Sequence, residues 1–123
     1  MSARVEQNSL QVNARVEVWL WAAQRITAAI MALFVVAHLI TMIYAVHHGL
    51  TAAQILGRTR GSAGWATFYA VFVALVAVHA PIGLRNVLAE HLDWRGVSLN
   101  TVMILFGILI AILGWRAVWA VCA

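Results

Sequence analysis

From Trp65 to Leu84 the chain runs 20 residues without a formal charge. Wound as a helix at 1.5 Å per residue, that run is about 30 Å long, the thickness of a bilayer's hydrocarbon core. Two further runs resemble it. Ile26–Val46 carries no charge over 21 residues, and Leu99 to about Trp119 has no ionisable group before Arg116. Hydrophobic residues make up 64% of the 123 positions and charged ones 10%, against roughly 45–50% and 25% in soluble domains. The pattern predicts an all-α membrane protein: three transmembrane helices in an up-down-up bundle, one domain over residues 1–123, with spans at about 22–47, 65–89 and 98–120. Met1–Val18 reads as a polar arm, helical only near its end. His47–Gly64, with four glycines, reads as a loop. Ser98 is the expected cap of the third helix. No short apolar region with a small-residue cleavage site precedes the first span, so no removable leader is expected.

The central run contains one histidine, His79. An imidazole in a membrane span gives up its hydration, which makes it a functional-site candidate by default. At 100° per residue Phe68, Phe72, His79, Gly83, Asn86 and Glu90 fall on one stripe. Gly83 removes a side chain one turn from His79, where something flat could lie. Pro81 frees the carbonyl of Ala77 and is expected to bend the helix. Two readings of His79 follow: an axial ligand to the iron of a planar cofactor, in practice haem, or an imidazole hydrogen-bonded between helices.

The first span holds a second histidine, His38, with Gln24, Thr27 and Met31 on its stripe. Counted from the middle of each span, His38 lies roughly 7 Å toward one side and His79 roughly 4 Å toward the other, an offset on the order of 11 Å. Axial ligands of one iron need nitrogens about 4 Å apart, at bond lengths near 2 Å. The two histidines therefore belong to different irons, or only one is a ligand. His47, His48 and His91 fall at the span ends and read as solvated interface residues.

All eight basic residues are arginine, and none forms a cluster with interleaved aromatics, which argues against nucleic acid as a partner. Arg4, Arg15, Arg25, Arg85 and Arg95 gather on the N-terminal side of the spans, and Arg58, Arg60 and Arg116 on the other. The excess predicts a cytoplasmic N-terminus. Trp19, Trp21 and Trp94 on one side and Trp65, Trp115 and Trp119 on the other form the aromatic belts of a spanning protein. Arg25 and Arg85, at the inner ends of two spans, read either as anchors or as partners for a haem propionate or a quinone carbonyl. Gln24 and Thr27 could line a quinone pocket. Gly107 and Gly114 offer a smooth face for close helix packing. Cys122, the only cysteine, excludes an internal disulfide.

These residues carry a resemblance. His79-Ala-Pro-Ile-Gly83-Leu-Arg85 matches the H-x-x-x-G-x-R pattern of the second helix in the cytochrome b membrane anchors of succinate dehydrogenase and fumarate reductase. WAAQRITA, Trp21–Ala28, resembles the start of their first helix, where an H/Q-R/S-x-S/T-G run precedes the span. The resemblance covers about residues 17–95. It implies His79 as an axial ligand of haem b, with Gly83 and Arg85 beside the haem and His38 ligating a second, distal haem. It also implies Arg25, Gln24 and Thr27 at the quinone site. Trp21 and Ala28 depart from the one-haem pattern and favour the two-haem type.

By this resemblance the chain is a non-catalytic, haem b-binding anchor in the bacterial cytoplasmic (inner) membrane. It would relay electrons in the respiratory chain between an iron–sulfur subunit and membrane quinone, with the dicarboxylate chemistry of the tricarboxylic acid cycle in an FAD-containing flavoprotein subunit. Three helices supply one ligand per haem, so each haem would be shared with a second membrane-anchor subunit or a second copy of this chain. The alternatives are a cofactor-free small transporter or assembly subunit with structural histidines, and the cytochrome b of another respiratory enzyme such as a formate dehydrogenase or hydrogenase.

Overall fold

The computed structural model describes all of residues 1–123 and contains four helices and no strand. They are α1 (Ser2–His47), α2 (Ala52–Thr59), α3 (Ala63–His91) and α4 (Val97–Cys122). Three of them, α1, α3 and α4, are long and apolar enough to cross a membrane.

Helix α1 runs 46 residues without a break, about 69 Å and more than twice the hydrocarbon thickness. The arm and the first span are thus one continuous rod. Between Ser2 and His47 there is no glycine or proline, so no residue along the way carries the large penalty that ends a helix. The rod stops where sequence first allows it. Gly49 takes φ +61°, the Gly49 amide donates to the Val46 carbonyl, and the Leu50 amide donates to the Ala45 carbonyl. That is the Schellman arrangement, and it needs a residue at ease with positive φ.

The stretch expected to be loop holds α2. Its start is a capping box: the Gln54 amide donates to Thr51 Oγ1, and the Thr51 amide donates to Gln54 Oε1 at 2.8 Å. Helix α2 closes one end of the bundle. Thr59 Oγ1 donates to the Val121 carbonyl at 2.9 Å, and the Gly61 amide donates to the Cys122 carbonyl at 2.9 Å. Both acceptors belong to the last turn of α4, whose carbonyls have no partner within their own helix.

Helix α3 is central, packing most extensively on α4 and next on α1. Pro81 lies inside α3 and frees the carbonyl of Ala77, and Gly107 of α4 seats against that carbonyl. A Cβ on Gly107 would stand 3.1 Å from both the Ala77 oxygen and Pro81 Cγ. One on Gly114 would come within 2.5 Å of Val73 Cγ1. The smooth glycine face expected from sequence is the α3–α4 contact. Gly96, with φ +93°, caps α4 in place of Ser98. The Ser98 hydroxyl instead accepts from Trp94 Nε1 at 2.8 Å.

On the α1 side, Phe34 stacks on Phe68 with ring centroids 4.7 Å apart and approaches Phe72. Only 8 of 123 residues are buried, so the apolar side chains mostly face outward, as lipid or a partner helix in lipid requires.

Candidate functional site

His79 projects from α3 toward α1, on the face that also carries Phe68, Phe72 and Gly83. Its Nδ1 lies 3.1 Å from Thr27 Oγ1, and its Nε2 lies 3.5 Å from Gln24 Nε2. Gln24 and Thr27 stand three residues apart on α1 and so share a face. Thr27 is one of the few buried polar residues of the chain. Gly83 completes the group: a Cβ there would sit 3.0 Å from Gln24 Nε2. The space next to His79 is therefore filled by the Gln24 amide, and Gly83 leaves the room it needs. Gln24 Oε1 is buried and has no hydrogen-bond partner. Four sequence-derived site residues, Gln24, Thr27, His79 and Gly83, converge in this way.

The other three lie apart. His38 sits in the C-terminal third of α1, its ring edge-on to Tyr69 at 5.9 Å. It borders a cleft of about 310 Å³ that reaches Phe72, Val73 and Gly114. Tyr69, level with His38, is ten residues from His79 on α3, and Thr27, level with His79, is eleven residues from His38 on α1. The two imidazoles are thus separated by about 15–17 Å along the helices. The 11 Å expected from span midpoints falls short because α1 runs well beyond its charge-free run and does not meet α3 at the middle of that run: the register is set by Phe34, Thr27 and Gln24. Both estimates forbid a shared iron.

Arg85 turns toward α4 and the base of α1. It donates through Nη2 to Glu17 Oε1 at 2.8 Å, through Nη1 to Glu17 Oε2 at 3.4 Å, and through Nε to Asn100 Oδ1 at 2.9 Å. One guanidinium so ties three helices together, a bidentate geometry that suits its planar fork. Sequence reasoning passed over Glu17 and Asn100. Glu17 lies seven residues before Gln24, two turns down the same face, which was the available signal. Arg25 lies on the opposite side of α1 from Thr27, 5.7 Å from the Trp21 ring. Above the Arg85 cluster a cleft of about 840 Å³ opens between α1, α3 and α4, walled by Leu20, Val78, Ile82, Ile104 and Ile108. His48 and His91 each donate from Nδ1 to a carbonyl of their own helix, Tyr44 at 2.9 Å and Val87 at 3.0 Å, in keeping with interface roles.

The residues around His79 fit a planar iron-bearing group. The imidazole is held by one nitrogen, while the other meets only an amide at the outer limit of a hydrogen bond. That amide has an orphaned oxygen, a costly condition in a buried setting, so displacing the Gln24 side chain costs little. Were an iron held at His79, any second histidine ligand would have to come from outside the chain, since His38 is too distant.

Three spanning helices with an intramembrane histidine clamped between the first two define a membrane-anchor class of protein. The family profile described as the succinate dehydrogenase/fumarate reductase transmembrane subunit matches residues 3–115, and the chain belongs to that family. The match covers all but eight residues at the C-terminus and two at the start. Comparisons with curated proteins and with solved structures returned no match. Family membership sets the chain apart from the formate dehydrogenase and hydrogenase cytochromes considered above.

Proposed function

We propose that this chain is the haem b-binding anchor of a succinate:quinone or quinol:fumarate oxidoreductase, passing electrons between an iron–sulfur subunit and membrane quinone. The observation that carries the proposal is the placement of His79: mid-span, held at one nitrogen, with the other facing a loosely satisfied amide. Haem bound there would supply one-electron chemistry. The chain's own part is to hold and orient the ligand through Thr27, and to present Arg25 and Arg85 at one end of the bundle. Gln24 and Thr27 turn to His79, which leaves Arg25 as the side chain available to a quinone carbonyl or a propionate. His38 would serve a second haem. The arginine-rich end, with the long base of α1, would face the cytoplasm of a bacterial cell and dock the iron–sulfur and flavoprotein subunits. A second anchor subunit or a second copy of the chain would complete the ligand set.

One observation favours a second reading. Both ring nitrogens of His79 have partners within the chain, as a structural histidine in a cofactor-free anchor would. Purification of the chain from its own membranes with its associated subunits separates the two. The proposal expects succinate-oxidising flavoprotein in the preparation and a b-type band in the reduced-minus-oxidised spectrum. A complex active toward succinate but without that band would establish the cofactor-free reading.

A further inference from the structure

The proton inventory at His79 has only one solution. Thr27 Oγ1 lies 2.6 Å from the Ala23 carbonyl and 3.2 Å from the Gln24 carbonyl. Carbonyls only accept, and a hydroxyl has one proton, so the Thr27 proton is committed to its own helix, as threonine in a helix commonly arranges. Facing His79 Nδ1 at 3.1 Å, the Thr27 oxygen can therefore act only as an acceptor, and Nδ1 carries the hydrogen. In the neutral ring the lone pair then sits on Nε2. The Gln24 amide nitrogen, placed 3.5 Å from Nε2, is compatible with a lone pair on that nitrogen.

We infer that Thr27 is the positioning residue of the haem ligand, accepting the Nδ1 hydrogen of His79 so that the Nε2 lone pair is preset toward the iron. The inference rests on the haem reading above and gives Thr27 a role other than a quinone contact. Three features support it. Thr27 is buried at 8% exposure, so water does not compete for Nδ1. Its χ1 freedom is restricted by β-branching and by the bond to Ala23. The contact joins α1 to α3, so the ring plane is fixed by the packing of two helices. A ligating histidine whose other nitrogen donates to an oxygen is both oriented and more basic. A more basic ligand favours ferric over ferrous iron.

The test uses the assembled complex with Thr27→Val, which keeps the branched shape and removes the acceptor, together with Thr27→Ser, which keeps the hydroxyl, and His79→Ala. Transfer of haem to added apomyoglobin reads affinity, and a potentiometric titration of the b-type band reads the ligand's basicity. The expected result is haem held about 10–100-fold less tightly in Thr27→Val, a midpoint potential raised in whatever haem remains, and values near wild type in Thr27→Ser. Haem affinity and potential unchanged in Thr27→Val, with the band lost in His79→Ala, would overturn the inference and leave the haem reading standing. Equal loss in the valine and serine variants would also overturn it, because packing and not the hydroxyl would then be responsible. Haem retained in full by His79→Ala would remove the haem reading and this inference with it.

Discussion

His79 and Arg85 stand six residues apart on one helix and meet different neighbours, His79 the middle of α1 and Arg85 its base together with α4. The stripe holding His79, Gly83, Phe68 and Phe72 was legible because a helix has a fixed 100° step. What lies opposite that stripe was not, since the rotation and register of α1 against α3 are tertiary facts. Gly83 illustrates the limit. Its missing side chain was readable as space, but that the space admits the Gln24 amide needed the neighbouring helix. The resemblance puts Arg85 beside a cofactor; its ion pair with Glu17 was not legible, because Glu17 lies in the polar stretch that reads as an arm. The cluster predicts an asymmetry. Arg85→Ala removes bonds to two helices and should cost about 1–2 kcal/mol, allowing for solvent screening at a Glu17 carboxylate that is 57% exposed. Glu17→Ala should cost less, because Arg85 keeps its bond to Asn100. Unfolding of the two variants in detergent checks the order, and an equal or larger loss for Glu17→Ala would contradict it.

Among the elements, the three spanning helices were legible from charge-free length alone. Helix α2 was not: the reading rested on four glycines within eighteen residues, and the Thr51-x-x-Gln54 box that starts the helix was passed over. The unbroken course of α1 was missed for the opposite reason, because polar composition in its first eighteen residues suggested an end that no glycine or proline provides. The α3–α4 pair is the tightest joint, and its glycines carry a sharp expectation. Gly114→Ala drives a methyl into Val73 and should destabilise by about 1–3 kcal/mol. Gly57→Ala, with open space at its Cβ, should be neutral or stabilise α2 by about 0.5–1 kcal/mol. Thermal unfolding of both in the same detergent tests the contrast. At the other joint, Thr59→Val leaves the Val121 carbonyl without its donor, at a cost of about 1 kcal/mol. Faster hydrogen exchange in α2, with α3 unchanged, is the expected signature.

At the scale of the whole molecule, the two imidazoles lie about 15–17 Å apart along the bundle, one clamped between α1 and α3 and the other at the outward face of α1. An imidazole at a lipid-facing position is costly without a partner, so the proposal expects a second subunit or a second copy of the chain over the surface around His38. Because the sites are separate, His38→Ala should leave the spectral contribution of a haem at His79 untouched. Loss of all haem in that variant would contradict the two-site arrangement. The most direct measurement of the central claim is the haem content of the purified complex bearing His79→Ala, set against His91→Ala as an interface control. The account predicts that the b-type band dependent on His79 disappears in the first variant and persists at full height in the second. An undiminished band in His79→Ala would show that iron never took this nitrogen.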